Sequence, residues 1–390
     1  MKPIVFSVSV LLLCPTCEEP APQPKLTGKT YGGIFHDLGF SVQQTSDGGY
    51  IFTGDTFSFG AGGIDIWLVK TDAAGDTVWN KTFGGSSEEL SRSVQQTSEG
   101  GYIVVGYTNS FGAGDMDTWL IKTNEAGNTV WTRTYGGSQD DRGYFVQQTS
   151  DSGYVITGET SSYGAGGEDI WLIKTDASGD TVWTRTFGGS QNDRGYTVHQ
   201  TSDEGYIIVG GTGSFGAGDD DVWVIKTDAL GDTVWTKTFG GSDGDWGYSI
   251  QQTSDVGYIV AGLTESYGSG NSDIWLIKMD ALGDTVWTKT YGGSNNDWGY
   301  DVQQTTDGGY IIAGETTSKG SGPSDAWLIK TGPSGDMVWN KLFGGNKYET
   351  GYTVRQNANG GYVLLGFTSS YGEGGFDVLL IITDEDGNPL

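Results

Sequence analysis

The chain carries one 52-residue pattern seven times, and this repetition constrains the fold more than any other feature. The motif D-x-W-[LV]-[IV]-K places a tryptophan at positions 67, 119, 171, 223, 275 and 327, and the seventh copy, DVLLII, has Leu379 in that slot. A second tryptophan recurs at 79, 131, 183, 235, 287 and 339. Seven repeats of 52 account for 364 of the 390 residues, which leaves 26 before them. Repeats of this length indicate a solenoid or a propeller.

Each repeat contains four short segments typical of β-strands. In the first repeat they are FSVQQT (40–45), GYIFTGDT (49–56), DIWLVKT (65–71) and TVWNKTF (77–83). The intervening SDGG and DAAGD segments are hairpin turn signals, because aspartate caps the turn and glycine adopts positive φ. Several segments are apolar at consecutive positions, so both sheet faces must be covered. The sequence therefore predicts an all-β fold, a seven-bladed β-propeller with four antiparallel strands per blade.

The alternative to a propeller is an open β-solenoid, which would need atypical polar repeats at both ends. The sequence shows none. Instead, TGKTYGG (27–33) matches WNKTFGG (79–85) position by position, while the chain stops at TDEDGNPL (383–390), where another fourth strand should begin. We therefore expect residues 26–31 to form the outer strand of the last blade and to close the ring.

The repeats resemble those of known propellers. Asp72, Gly75 and Trp79 give D-x-x-G-x-x-x-W, one residue shorter than the quinoprotein-type signature D-x-x-x-G-x-x-x-W and longer than the Asp-box S-x-D-x-G-x-T-W. More specifically, DIWLIKTD (169–176) and GDTVWTKTYGG (283–293) resemble the propeller repeats of secreted bacterial proteins of unassigned function. This resemblance covers residues 27–390. It implies the fold and export, and it brings no chemistry with it.

The first residues, MKPIVFSVSVLLLCPTCEEPAPQPKL, differ from the rest. Lys2 precedes the apolar run Ile4–Leu13, which is too short to span a bilayer and predicts a signal peptide over 1–17. The alternative is an N-terminal core strand. An apolar run ending in cysteine resembles a bacterial lipobox, which makes Cys17 and Cys14 candidates for lipidation. Residues 18–25 would be a Pro-rich tether, and 26–390 the propeller. We expect a secreted or cell-envelope surface protein, either lipid-anchored or simply exported.

The charge narrows the range of partners. Asp and Glu number 49 against 21 Lys and Arg, for a net charge of −28. Such a surface repels phosphate backbones and anionic headgroups, so we expect no nucleic acid partner and no membrane contact beyond a lipid anchor. A glycan or an envelope or extracellular protein stays possible, and the chain is expected to be a monomer.

When the seven repeats are aligned, equivalent positions form columns, and a column that keeps its residue in every repeat is expected to serve structure. Both tryptophan columns should fill the space between blades, with a ligand cage as the alternative. The cations headed by Lys70 and Lys81 are expected to stay solvated near the rim. The columns headed by Thr56, Ser58 and Asp65 should hold the loop that they bracket.

The connections from strand two to three and from strand four to the next blade are long, so they predict a long-loop face suited to binding. Two columns of the four-to-one loop stand out there. One reads Leu38, Leu90, Arg142, Arg194, Trp246, Trp298 and Thr350, and the other Asp37, Glu89, Asp141, Asp193, Asp245, Asp297 and Glu349. The candidate ligand-binding residues are Arg142, Arg194, Trp246, Trp298, Asp141, Asp193, Asp245 and Asp297. The alternative is that the acid caps its loop and its neighbour drifted neutrally.

Enzyme chemistry finds little support. The body has two histidines, His36 and His199, and no cysteine, and His199 lies in a column that is otherwise Gln or Arg355 and is interpreted as drift. No metal-ligand spacing occurs, and the acidic segment DEDGN (384–388) lacks the distal acid of a calcium loop. We expect no cofactor, no metal and no catalytic residue, in a non-catalytic binding propeller. The alternative is an extracellular propeller enzyme, glycoside-acting or quinone-dependent.

Overall fold

The computed structural model describes residues 28–390. The predicted signal peptide, the tether, and Cys14 and Cys17 lie outside the described residues, so those assignments stay predictions. Between residues 28 and 390 the chain forms 28 β-strands and no helix that could cross a membrane.

The strands form seven four-stranded antiparallel sheets. Blade 1 is β2 (Asp37–Gln44), β3 (Tyr50–Thr56), β4 (Asp65–Thr71) and β5 (Thr77–Phe83). Blade 2 is β6 (Glu89–Gln96), β7 (Tyr102–Thr108), β8 (Asp117–Thr123) and β9 (Thr129–Tyr135). Blade 3 is β10 (Asp141–Gln148), β11 (Tyr154–Thr160), β12 (Asp169–Thr175) and β13 (Thr181–Phe187). Blade 4 is β14 (Asp193–Gln200), β15 (Tyr206–Thr212), β16 (Asp221–Thr227) and β17 (Thr233–Phe239). Blade 5 is β18 (Asp245–Gln252), β19 (Tyr258–Thr264), β20 (Asp273–Met279) and β21 (Thr285–Tyr291). Blade 6 is β22 (Asp297–Gln304), β23 (Tyr310–Thr316), β24 (Asp325–Thr331) and β25 (Met337–Phe343). Blade 7 is β26 (Glu349–Gln356), β27 (Tyr362–Thr368), β28 (Asp377–Thr383) and β1 (Lys29–Tyr31).

The first strand of each blade is the innermost. These seven strands contact their counterparts in the neighbouring blades around the central axis, whereas the fourth strands lie at the rim. Each innermost strand carries a β-bulge early in its length, between Gly39 and Ser41 in blade 1. The tight turn that follows is held by Asp47, whose carboxylate accepts a hydrogen bond from the amide of Gly49, and Gly48 there has φ +85°.

The hydrophobic core is divided among the seven interfaces between blades. Between blades 1 and 2, for example, Ile66 and Leu68 pack against Val104 and Trp119, all at most 6 % exposed. Trp79 packs on the same cluster, and its ring lies 5.7 Å from that of Tyr102 in the next blade. This confirms the prediction that the tryptophans fill the space between blades. The β-propeller fold is confirmed with it.

The predicted ring closure is confirmed. β1 pairs antiparallel with β28, with Lys29 opposite Leu380 and Tyr31 opposite Val378. The ring of Tyr31 lies 5.0 Å from that of Phe52, so the first strand packs on blade 1 while it completes blade 7. The N-terminal strand therefore joins the first and last blades.

A ring of glutamine side chains reinforces the closure on the tight-turn face. In each blade the last residue of the innermost strand accepts, through Oε1, a hydrogen bond from the turn amide of the preceding blade. The seven donor and acceptor pairs are Ser46–Gln96, Ser98–Gln148, Ser150–Gln200, Ser202–Gln252, Ser254–Gln304, Thr306–Gln356 and Ala358–Gln44, at 2.8–2.9 Å. The Ala358–Gln44 bond links the seventh blade to the first, so the circuit is complete.

The prediction for the Lys70 column was wrong. Lys70 is 5 % exposed, and its ammonium group donates to the carbonyl of Thr71 at 2.8 Å and pairs with Asp47 at 2.9 Å. The cation is therefore part of the turn between the first two strands. The Lys81 column is more exposed and reaches the next blade, as the ion pair between Lys237 and Asp284 at 2.8 Å shows.

Candidate functional site

The acidic column of the predicted site is buried. Asp141, Asp193, Asp245 and Asp297 are all 0 % exposed. In blade 4, Asp193 accepts hydrogen bonds from the amide of Gly189 at 2.9 Å, from Ser214 Oγ at 2.7 Å and from the hydroxyl of Thr212. The carboxylate thus ties the four-to-one loop to the two-to-three loop. The structure places these four aspartates as loop anchors, the alternative that the sequence left open, and not where they could touch a ligand directly.

The two-to-three loop is anchored in the same way at its other end. Asp65 accepts hydrogen bonds from the amides of Ala61 and Gly62, and the hydroxyl of Thr56 accepts from the amides of Ser58 and Phe59. This confirms the scaffolding role predicted for these columns. The long-loop face is consequently a fixed frame around one opening of the central channel, the space that the seven innermost strands enclose.

The column headed by Leu38 lies at the long-loop end of the innermost strands. We call its residues, Leu38, Leu90, Arg142, Arg194, Trp246, Trp298 and Thr350, the mouth column. Six of the seven side chains are half-buried, and Thr350 is buried. The four remaining predicted site residues, Arg142, Arg194, Trp246 and Trp298, therefore stand side by side on blades 3 to 6.

The two arginines form one ion cluster with two glutamates and with Asp140, which pairs with Arg142. Arg142 contacts Glu159 at 2.7 Å, and Arg194 contacts Glu159 at 3.2 Å and Glu168 at 2.5 Å. Glu159 is 1 % exposed, whereas Arg194 keeps 38 % of its side-chain surface open to solvent. Burial raises the pKa of Glu159, and the charge of Glu168 raises it further against the pull of both guanidinium groups. The arginines are thus partly neutralised and still accessible.

The two tryptophans each fit the blade that precedes them. A Cβ atom at Gly211 would lie 2.9 Å from Cδ1 of Trp246, so the glycine leaves room for the indole. Trp298 donates from Nε1 to Ser272 Oγ at 2.7 Å, and its ring lies 6.4 Å from that of Tyr300. Each tryptophan therefore has a complementary partner in the preceding blade, a glycine that leaves space for Trp246 and a serine that accepts a hydrogen bond from Trp298.

A belt of rings lies two residues further along the innermost strands. It consists of Phe40, Tyr144, Tyr196, Tyr248, Tyr300 and Tyr352, with Arg92 in the seventh position. Successive ring centroids from Tyr144 round to Phe40 are 4.9–5.7 Å apart. The guanidinium carbon of Arg92 lies 4.7 Å from the centroid of Phe40 and 4.9 Å from that of Tyr107, so a cation–π contact continues the belt.

Beyond the belt, toward the tight-turn face, the channel holds a chamber of about 190 Å³. Its walls are the belt and two further columns of the innermost strands, where the blades differ. Asp301 of blade 6 accepts hydrogen bonds from Ser249 Oγ and Thr353 Oγ1, each at 2.9 Å, and pairs with Arg355 of blade 7. Three neighbouring blades thus meet at one carboxylate inside the chamber.

His199, interpreted from the sequence as drift rather than as a ligand, also lines the chamber. Its ring lies 5.0 Å from that of Phe145, and within residues 28–390 the imidazole has no hydrogen-bond partner. Burial and the charge of Arg355 lower the pKa of His199 to about 4, so the ring is neutral at pH 7. A neutral imidazole facing a cavity can donate or accept one hydrogen bond from a guest.

Of the chamber residues, sequence reasoning overlooked Arg92 and Asp301, and it interpreted His199, which shares a column with Arg355, as drift. The signal was present, because Arg92, His199 and Arg355 are each one of two departures from a column of tyrosine or glutamine. Asp301 is the one acid at a repeat position that otherwise holds Ser, Thr or Phe. The aligned repeats could not show which strand of each blade is innermost. Without that knowledge, a departure in the first strand has the same weight as one anywhere else.

Comparison with known proteins supports the fold and assigns no family. No family model matches the chain. Regulatory protein FlaEY of Caulobacter vibrioides is 24 % identical over 412 aligned positions, which cover 95 % of this chain and 39 % of that protein. The chain thus spans well under half the length of this curated relative.

Solved propellers of low sequence identity have a similar fold. The outer coat vertex of COPII on membranes matches with a TM-score of 0.56 at 10 % identity, over 93 % of this chain and 89 % of that one. YCF48 bound to D1 peptide matches with 0.52 at 11 % identity, over 94 % and 100 %. Sqt1 from Chaetomium thermophilum matches with 0.52 at 10 % identity, over 94 % and 86 %. At these identities the likeness extends to the β-propeller fold alone.

Proposed function

We propose that this chain is a non-catalytic binding propeller that holds a basic segment of a protein partner at the mouth of its central channel. The proposal rests on the positions at which the seven blades differ from one another. The mouth column contains four residue types, and the chamber adds four polar departures, while the buried Asp37, Gly54, Thr56 and Asp65 columns keep one residue type or its homologue throughout. A ligand at the axis meets all seven blades at once, so selection for one ligand would diversify these positions first.

The charge of the long-loop face supports a cationic partner. Besides the buried anchors, the long loops carry nine acids and two lysines, and two of these acids, Asp140 and Glu168, pair with the mouth arginines. The acids are Glu88, Asp115, Asp140, Glu168, Asp219, Asp220, Asp243, Glu265 and Glu373, and the lysines are Lys319 and Lys347. Opposite charge on a partner would speed association and fix its orientation. The indoles of Trp246 and Trp298 offer half-buried aromatic surface of the kind that dominates binding energy at protein interfaces.

The fold comparisons are consistent with a protein partner. YCF48 was solved bound to D1 peptide, and another of the similar propellers within the COPII coat on membranes. A non-catalytic role agrees with the site itself, since its arginines, glutamates and aspartates pair with one another and, among residues 28–390, none of them is hydrogen-bonded to His199. An enzyme acting on glycosides or through a quinone stays the alternative.

A peptide-display selection tests this site. We expect selected peptides to be rich in lysine and arginine and to bind less tightly as salt rises. Replacing both tryptophans, Trp246→Ala with Trp298→Ala, should weaken binding by about 2 kcal/mol, or roughly thirtyfold in Kd by fluorescence anisotropy. Leu230→Ala with Leu282→Ala is the matched control, because these leucines are 62 % and 68 % exposed on the opposite face. Equal loss in both pairs, or no loss at the mouth, would contradict the assignment.

Export and lipid anchoring remain part of the proposal, supported by the leader sequence. We expect the chain to fractionate with membranes and to enter the detergent phase of a Triton X-114 partition. The double change Cys14→Ser with Cys17→Ser should move it to the aqueous phase, and the two single changes identify the lipidated residue. If the double variant still partitioned with detergent, no cysteine anchor would exist.

A further inference from the structure

Separate from the channel, the rim of the propeller carries grooves where neighbouring blades diverge. The groove at blade 3 has a volume of about 560 Å³ and that at blade 5 about 530 Å³. Both lie in the size range of small-molecule sites. They are 104 residues apart in sequence, two repeats, and are lined by the same columns.

Each of the two grooves has an aromatic floor. In blade 3, the ring of Tyr163 lies on that of Trp171 with centroids 5.4 Å apart and a tilt of 42°, and in blade 5, Tyr267 lies on Trp275 at 5.3 Å and 47°. The tyrosines are 47 % and 48 % exposed although both are stacked and hydrogen-bonded. Their hydroxyls donate across the groove to carbonyls of the preceding blade, Tyr163 to Gly136 at 3.1 Å and Tyr267 to Gly240 at 2.8 Å. The exposed rings are therefore fixed in place before any ligand arrives.

The walls of the grooves are hydroxyl groups. At blade 3, Thr184 and Thr186 of β13 face Thr134 of β9, and at blade 5 the equivalent threonines do the same. The one charged residue that lines the blade 3 groove, Arg185, pairs with Asp232 at 3.1 Å. Its counterpart at blade 5, Lys289, pairs with Asp336 at 2.9 Å. The grooves thus present fixed aromatic surface and hydroxyls with little free charge.

We propose that the grooves at blades 3 and 5 are two equivalent binding sites for a neutral sugar residue of a glycan. A pyranose ring has one face of C–H groups and a rim of hydroxyls. The C–H face would lie on Tyr163 or Tyr267, since the negative face of an aromatic ring attracts C–H hydrogens. The sugar hydroxyls would exchange hydrogen bonds with the threonines. A free cation or anion finds no unpaired charge among the residues that line these grooves.

The equivalent positions of blade 6 are an internal control. There Lys319 replaces the tyrosine, with its ammonium nitrogen 4.2 Å from the ring centroid of Trp327, and Leu342 replaces a threonine of the wall. Trp327 is 0 % exposed, whereas Trp171 and Trp275 are 6 % and 5 % exposed. The aromatic floor at blade 6 is therefore covered, and we expect no sugar site there.

The test starts from an array of neutral glycans probed with the chain, followed by calorimetric titration of the tightest binder as a free oligosaccharide. We expect a stoichiometry of two. Tyr163→Ala with Tyr267→Ala should weaken binding by at least about tenfold, because each removes the exposed stacking ring. Tyr163→Phe with Tyr267→Phe removes the hydroxyls that fix the rings and reproduces the Phe–Trp pairs of blades 1, 2 and 4, so it should also weaken binding. Lys319→Ala should change nothing.

Two results would overturn the inference: an array on which no neutral glycan binds, or a bound glycan whose affinity survives removal of both tyrosines. Melting curves of the alanine variant check that the fold is intact. Trp246→Ala with Trp298→Ala should leave glycan binding unchanged, so the proposed rim sites and the proposed site at the channel mouth are tested independently.

Discussion

A chain that begins after Gly33 is expected to melt roughly 10 °C below the full-length chain, because it lacks the strand that closes the ring. The deletion removes β1, its pairing with β28 and the packing of Tyr31 on Phe52. It also removes the ion pair between Lys29 and Asp76. Loss of the packing of one aromatic ring and of several hydrogen bonds should together lower the free energy of unfolding by about 5 kcal/mol.

The control for this deletion is a chain that begins at Leu26 and keeps β1. Thermal unfolding followed by circular dichroism should place its melting temperature at that of the full-length chain. A second check adds a synthetic peptide of residues 26–33 to the shortened chain, which should restore part of the lost stability. Equal melting of the shortened chain and the control would show that β1 is not needed for closure.

Glu159→Ala is expected to lower the free energy of unfolding by about 3 kcal/mol, because it leaves two guanidinium groups without their buried counter-ion. Arg142 would then keep Asp140 as its close partner, and Arg194 would keep Glu168. The partial exposure of both arginines places the loss at the lower end of the range for broken buried pairs. Urea denaturation at pH 7 measures it.

The matched control for Glu159→Ala is Glu88→Ala, which removes an exposed acid from the same face. That change should alter stability by less than about 0.5 kcal/mol. In contrast to Trp246→Ala, the Glu159 variant should also change the salt dependence of peptide binding, since it makes the mouth less acidic. A Glu159 variant as stable as the Glu88 variant would show that the cluster has no stabilising role.

Repetition made the architecture predictable. Because the tryptophan slots recur every 52 residues, the match of residues 27–33 with 79–85 was enough to foresee that β1 completes blade 7. Residues required by every blade, such as Trp67 and Asp65, stand out from a single chain when it contains seven copies of them. The burial of Lys70 was not foreseeable in this way, because a repeated cation can be repeated for a turn as well as for solubility.

The candidate site was predictable only in part. Arg142, Arg194, Trp246 and Trp298 do lie together at the mouth, since equivalent positions of adjacent blades must. The neighbouring Asp193 points into its own loop, and its residue type gave no indication of that direction. The bulge between Gly39 and Ser41 shifts the strand register, so both Phe40 and Ser41 line the chamber. An alternating pattern would have placed only one of them there.

The rim grooves escaped sequence reasoning for a related reason. In the sequence, Tyr163 is a loop residue and Trp171 a core residue eight positions later. Only the folded two-to-three loop brings their rings into contact. The opposite wall comes from Thr134 of the preceding repeat. A site shared by two repeats cannot be seen by comparing the repeats one at a time.

The central claim, that a protein partner binds at the channel mouth, is tested most directly by site-specific crosslinking in cells that produce the chain. The photoreactive residue p-benzoylphenylalanine is placed at position 246 in one variant and at position 282, in the turn between β20 and β21, in another. The account predicts a discrete crosslinked protein from position 246 and none from position 282. No adduct from position 246, or the same adduct from both positions, would contradict it.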